Sequence, residues 1–154
     1  MSRLAVLIAT FAYVGFFPIA PGTAGSAAGL LLYAALQASA SPMLELAVIA
    51  GVFLAGTWAA TRAERSFGRS DPGPVVIDEV LGMLVTLALV PVSLSGAVIG
   101  FVVFRAFDIV KPWPVNRAEA LPEGLGIMSD DLLAGLYGNL VMRVLAWAVP
   151  GWIL

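Results

Sequence analysis

The chain has 154 residues, 60% of them hydrophobic and 12% charged, with a formal net charge of −2. A soluble domain has roughly 25% charged residues and mean hydropathy here is +0.98, so residues 1–154 read as a single membrane-embedded domain of all-α class. Cysteine and histidine are absent, which excludes disulfides, thiolate nucleophiles, Fe–S ligation, imidazole-based zinc sites, histidine bases and phosphohistidine intermediates.

Arg3 followed by an apolar run has the outline of a cleaved signal peptide, but no convincing cleavage site precedes Pro21-Gly22-Thr23. Residues 4–20 are short for a span and hold Gly15 and Pro18, so they predict an interfacial or partly inserted helix. PGTAGS at 21–26 predicts a turn leading into a helix over 24–38. Thr23 serves there as an ordinary N-cap, or the helix start with its glycines and hydroxyls takes an anion. A second apolar helix is expected over 43–61, with Gly51 and Gly56 as a small-residue face that permits a homodimer. Arg62, Arg65 and Arg69 follow it and mark the cytoplasmic side.

A Gly/Pro-rich loop leads to Asp78-Glu79 and an apolar segment over 80–90. A turn at 91–95 returns the chain through 96–108 to Asp108. Such a hairpin brings its two acidic ends to one membrane face. Residues 109–129 read as a loop broken by Pro112, Pro114, Pro122, Gly124 and Gly126. Asp130-Asp131 then open the last helix, with Asp130 as N-cap, running to about residue 149. Trp147 and Trp152 are expected interface anchors. If 24–38 and 43–61 also form a hairpin, all the polar motifs meet on the cytoplasmic face. The expected architecture is a compact integral-membrane bundle of about four to six helices, some short or partly inserted.

Five of the ten acidic residues lie between 105 and 131. Polar groups in so apolar a chain mark a functional site. Asp78, Glu79, Asp108, Asp130 and Asp131 clustered at one interface repel one another unless protons or a cation intervene. Mg²⁺ suits such a group, since it takes one or two carboxylates plus water and phosphate oxygens. Asp108 lies at a helix C-terminus, where the dipole disfavours an anion, so it needs a partner. Arg105 at i−3 and Lys111 at i+3 are candidates, and the same two cations suit a transferring phosphoryl group. Arg65, Arg69 and Arg117 read as topology determinants or contacts to anionic lipid. The glycines at 124 and 126 form no nucleotide fingerprint.

Four motifs stand in order: PGTAGS at 21–26, DPGPVVIDEVLGM at 71–83, FRAFDIVKPWPV at 104–115 and GLGIMSDDLLAG at 124–135. Together, from about residue 15 to 138, they resemble the phosphatidylglycerophosphatase A family of bacterial inner membranes. The resemblance implies a Mg²⁺-dependent phosphatase that removes the terminal phosphate of phosphatidylglycerophosphate to give phosphatidylglycerol, with its active face toward the cytoplasm. It implies that Asp78, Glu79, Asp108, Lys111, Asp130 and Asp131 lie at the active site, with Arg105, Thr23 and Ser26 matching by position. The roles expected on that footing are metal binding by Glu79, Asp130 and Asp131, and catalysis by Asp78, Asp108, Lys111 and Arg105. Phosphate binding falls to Thr23, Ser26, Lys111 and Arg105. Water and an aspartyl-phosphate both remain as routes. The alternative class is a non-enzymatic cation transporter or channel with a carboxylate-lined site; its acids belong near the middle of long spans.

Overall fold

The computed structural model describes residues 1–118 and 120–154. Among the described residues there are eight α-helices, one short 3₁₀-helix and no strand. In chain order they are α1 (Arg3–Ala9), the 3₁₀ turn Val14–Phe16, α2 (Pro21–Gln37), α3 (Pro42–Phe67), α4 (Ile77–Leu87), α5 (Leu94–Val110), α6 (Val115–Ala118), α7 (Gly124–Ala148) and α8 (Pro150–Ile153). Glu119 was expected in the loop before α7 and lies outside the described residues.

α4 is the centre. Its 11 residues are apolar nearly all round, and a helix of that kind belongs inside. Val80, Leu81, Met83 and Leu84 are fully buried. α4 packs chiefly on α7 and α2. α2 closes on it through Gly25 and Gly29: a Cβ at Gly25 would lie 2.7 Å from Val76 Cβ, and one at Gly29 would lie 2.9 Å from Met83 Cβ. α7 approaches as closely, with Gly135 stacked over the Gly82 carbonyl. Gly135→Val overpacks this crossing, where even a first Cβ falls 2.6 Å from Gly82 O and 3.0 Å from Val85 Cβ. The substitution is expected to destabilise the fold by about 1–3 kcal/mol. Thermal unfolding in detergent measures this, and an unchanged midpoint would show that α4 and α7 do not meet here.

Several boundaries differ from the sequence expectation. The helix expected over 4–20 breaks after Ala9, where Phe11, Ala12 and Tyr13 take left-handed backbone angles. α2 starts at Pro21, so Thr23 lies in its first turn and is not its N-cap. α3 runs on through Arg62 and Arg65 to Phe67 and stops at Gly68, whose φ of 63° is the left-handed conformation glycine accepts without penalty. α2 and α3 both pack on α4, so the expected 24–38/43–61 hairpin is opened by that helix between them. Gly56 is buried against Met128 and Ile77, while Gly51 faces open space. The small-residue face is therefore half used within the fold.

The largest correction concerns α7. It begins at Gly124, and Asp130 and Asp131 lie in its second turn, so Asp130 is not an N-cap. Gly124 is helical because of what it packs against: its N–H donates to Thr61 Oγ1 at 3.2 Å, and a Cβ there would run into the α3 backbone at Thr57 and Thr61.

These helices leave one polar end, formed by the starts of α2, α4 and α7 and the ends of α3 and α5. At the opposite end Tyr33 donates to the Val90 carbonyl, Leu89 N donates to Glu45 Oε1, and Asn139 donates to the Ala88 carbonyl. Of the described helices only α3 is long and apolar enough to cross a membrane. Its sides and those of its neighbours present apolar residues outward: Leu31, Met43, Leu94 and Trp147 are all more than two-thirds exposed.

Candidate active site

The polar end holds a cleft of about 40 Å³ lined by Asp78, Glu79, Asp108, Lys111, Asp130 and Asp131, the six residues that the motifs single out. Its remaining wall is Ser70, Asp71, Glu123 and Ile127. The volume fits an ion with a few waters or a phosphate group, and nothing as large as a lipid tail.

Asp78 and Glu79 occupy the first turn of α4, where the helix dipole favours anions. Asp131 faces them from α7. One carboxylate oxygen from each of the three lies within 4.8 Å of the others. Asp78 is 7% exposed and Asp131 3%. Burial pushes the Asp78 carboxyl well above the ordinary range, and the Glu79 and Asp131 charges add to it. Burial likewise raises Glu79 to about 7, with Asp108 adding and Arg105 opposing.

Asp78 Oδ1, Glu79 Oε2 and Asp131 Oδ2 are buried and have no hydrogen-bond partner among the described residues. Three orphaned carboxylate oxygens on three neighbouring acids are costly. A hard divalent cation that takes oxygen ligands removes both the repulsion and the vacancy in their bonding. The residues therefore fit such a metal.

Two cations stand beside this group, each fixed by its own carboxylate. Arg105 Nη1 donates to Asp108 Oδ2 at 2.5 Å, lies 4.0 Å from Glu79 Oε1 and reaches Ser26 Oγ at 3.5 Å. Lys111 Nζ donates to Asp130 Oδ2 at 2.6 Å. Lys111 is the C-cap of α5, in the left-handed region with φ 45°, so it no longer continues the helical face of Arg105 and Asp108.

The convergence expected of the motifs is thus present. Gly22, at the start of α2, packs so closely on Glu79 Oε1 that a Cβ would overlap it. Ser26 is fully buried, donates to the Gly22 carbonyl at 2.9 Å and receives the Arg105 contact. Thr23 is exposed on the same turn. The group that geometry favours for a metal contains Asp78, where the sequence reading put Asp130. Asp130 instead accepts from its neighbour's backbone, Asp131 N, and from Lys111. Asp71 was given no role by the sequence reading, yet it lines the cleft and its charge acts on Asp78. The signal was there, since Asp71 heads the motif DPGPVVIDE. Glu123 was missed because it falls in the proline-rich loop region.

Buried carboxylates that could hold a hard metal thus lie beside two positioned cations at the polar end of an apolar helical body, an arrangement suited to handling phosphate. The family model for phosphatidylglycerophosphatase A matches residues 7–146. The chain belongs to that family of phosphatases, and the match extends further in both directions than the four motifs do. A Haemophilus influenzae protein named phosphatidylglycerophosphatase A is 36% identical over 91% of this chain and 85% of its own length. The Escherichia coli protein of the same name is 34% identical over 79% of this chain and 72% of its own. A Bacteroides thetaiotaomicron protein bearing the name "Putative phosphatidylinositol-3-phosphatase" is 39% identical over 96% of this chain and 97% of its own. No solved structure matches the chain.

Proposed function

We propose that this chain hydrolyses the terminal phosphomonoester of phosphatidylglycerophosphate, yielding phosphatidylglycerol and phosphate, with Mg²⁺ as cofactor. The observation behind the reading is the set of three orphaned oxygens on Asp78, Glu79 and Asp131, with Arg105 and Lys111 beside them. Family membership supports the lipid substrate.

In this reading Asp78, Glu79 and Asp131 hold Mg²⁺, which neutralises phosphate charge and makes water a better nucleophile when bound. Arg105 and Lys111 bind the equatorial phosphate oxygens and stabilise the charge that develops on them. Asp108 and Asp130 hold those two cations in place; Ser26 adds a contact that orients Arg105. Asp108 also takes the proton of the attacking water, the role left once Asp78 joins the metal group. The new P–O bond forms to water, the bond to the glycerol oxygen breaks, and that oxygen leaves with a proton from Lys111 or solvent. Thr23, exposed on the first turn of α2 next to Gly22, is left as an outer contact for the phosphate.

The apolar outer surface and the α3 candidate span support a membrane-embedded protein in the bacterial inner membrane. Arg62, Arg65 and Arg69 at the end of α3 and Lys111 and Arg117 after α5 carry most of the positive charge, which favours a cytoplasmic side for the cleft. Residues 1–154 act as one domain in this reading.

The test is a substrate panel in mixed micelles: phosphatidylglycerophosphate, phosphatidic acid and phosphatidylinositol 3-phosphate. The expected result is kcat/KM highest for phosphatidylglycerophosphate by about tenfold or more, the scale of one added charged contact. Preference for phosphatidylinositol 3-phosphate would overturn the substrate and side with the Bacteroides name.

A further inference from the structure

The cleft has room for a phosphate and no room for the rest of a lipid. A second, far larger groove of about 730 Å³ lies beside it on the outer face of α3. One half is apolar, made by Phe53, Leu54, Trp58 and Leu125. The other half ends in Arg62 and Arg65. The Arg62 guanidinium sits 4.7 Å over the Trp58 ring, and both side chains are exposed.

The two cavities share a wall. Arg65 lines the groove and Glu123 lines the cleft, and they form a two-pronged ion pair, Nε to Oε1 at 2.7 Å and Nη2 to Oε2 at 2.8 Å. On the same turn of α7, Leu125 faces the groove and Ile127 the cleft. A ligand that fills both passes over one ion pair.

We infer that the α3 groove seats the body of an anionic phospholipid, with an acyl chain along Phe53, Leu54 and Leu125 and its phosphodiester at Arg62, held over Trp58. This rests on the phosphatase reading for its occupant, since a lipid with a terminal monoester and an internal diester needs two anion subsites. Charge complementarity commits the groove to that occupant: a guanidinium at the head of an apolar trough matches a phosphodiester above hydrocarbon. Glu123 holds Arg65 across the boundary, which leaves Arg62 as the groove's anchor and keeps the acidic cleft separate from the diester. Arg62 is then a specificity-determining residue rather than a catalytic one.

The probe is a short-chain fluorescent phosphatidylglycerol, which has the diester and acyl chains and lacks the terminal phosphate. Its binding to the full chain in nonionic detergent is read by anisotropy, alongside phosphate release from phosphatidylglycerophosphate. Arg62→Ala and Trp58→Ala are each expected to weaken probe binding about tenfold. They should raise KM for phosphatidylglycerophosphate by a similar factor with kcat changed less than about twofold. Arg143→Ala, a basic residue at the opposite end of the fold, should leave probe binding as in wild type, and excess inorganic phosphate should not displace the probe. Equal binding in wild type, Arg62→Ala and Trp58→Ala overturns the inference, as does an equal loss in Arg143→Ala, which would mean general charge attraction. Groove-dependent binding without phosphate release from any lipid would sustain the groove and sink the phosphatase reading alone.

Discussion

Asp131→Asn is expected to lower kcat about a thousandfold while the helical fold persists. The carboxylate is 3% exposed and has a buried oxygen with no partner, beside Asp78 and Glu79. Loss of one anionic ligand removes several kcal/mol of transition-state charge stabilisation if a metal sits there, and each ~1.4 kcal/mol is tenfold in rate. Stability moves the other way in chelator, because the amide relieves repulsion among three buried acids. The Glu79 carboxyl is raised from 4.5 to about 7 in the fold. A raised acid contributes stability that is complete below its unfolded value and is lost as pH rises through its folded value. Metal-free wild type should therefore lose thermal stability between pH 4.5 and about 7, and Mg²⁺ should restore much of it. Asp131→Asn should show a shallower loss and a smaller gain from Mg²⁺. A variant that unfolds in chelator as wild type does, with full activity in Mg²⁺, would remove Asp131 from the site.

Arg105→Gln is expected to cost about 10²–10³ in kcat, the usual loss when one donor to a developing anion is removed. Arg105 links three of the motifs, reaching Ser26 and Glu79 from the helix it shares with Asp108. Its planar fork can bridge Asp108 and a phosphate together, which the single point of a lysine does not reproduce. Arg105→Lys should accordingly recover only a small part of the rate. A change confined to KM would mean that Arg105 binds ground state and transition state alike. A rate like wild type in Arg105→Gln would leave Lys111 as the sole phosphate-facing cation and undo the two-cation scheme.

Much of this site was legible because its spacing is local. Arg105 and Asp108 are one helical turn apart, and any helix through 94–110 joins them. The Asp78-Glu79 and Asp108 ends meet because a short turn at 88–93 folds α4 and α5 back on each other. Both aspartates line the cleft, but that Asp131 sits nearer Asp78 and Glu79 was not legible. Adjacent helical residues point about 100° apart, and the rotation of α7 against α4 sets which carboxylate comes closest. Gly124 and Gly126 read as loop on intrinsic preference. Packing against Thr57 and Thr61 overrides that preference, and no local signal reports a contact across more than sixty residues. The end of α3 had a readable mark in Gly68, but the arginines before it suggested a loop at the membrane edge. The all-helical class followed from composition. The place of α4 between α2 and α3 did not, because pairing among apolar helices depends on which small residues allow close approach, here Gly25, Gly29 and Gly135.

The most direct test of the account is phosphate release from phosphatidylglycerophosphate by the purified wild-type chain in mixed micelles, with Mg²⁺, with chelator, and with Mg²⁺ restored. Release is expected to need Mg²⁺, to fall to background in chelator and to return when the metal is added back. Undiminished release in chelator would contradict the metal role given to Asp78, Glu79 and Asp131. No release from folded protein in any condition would contradict the phosphatase itself.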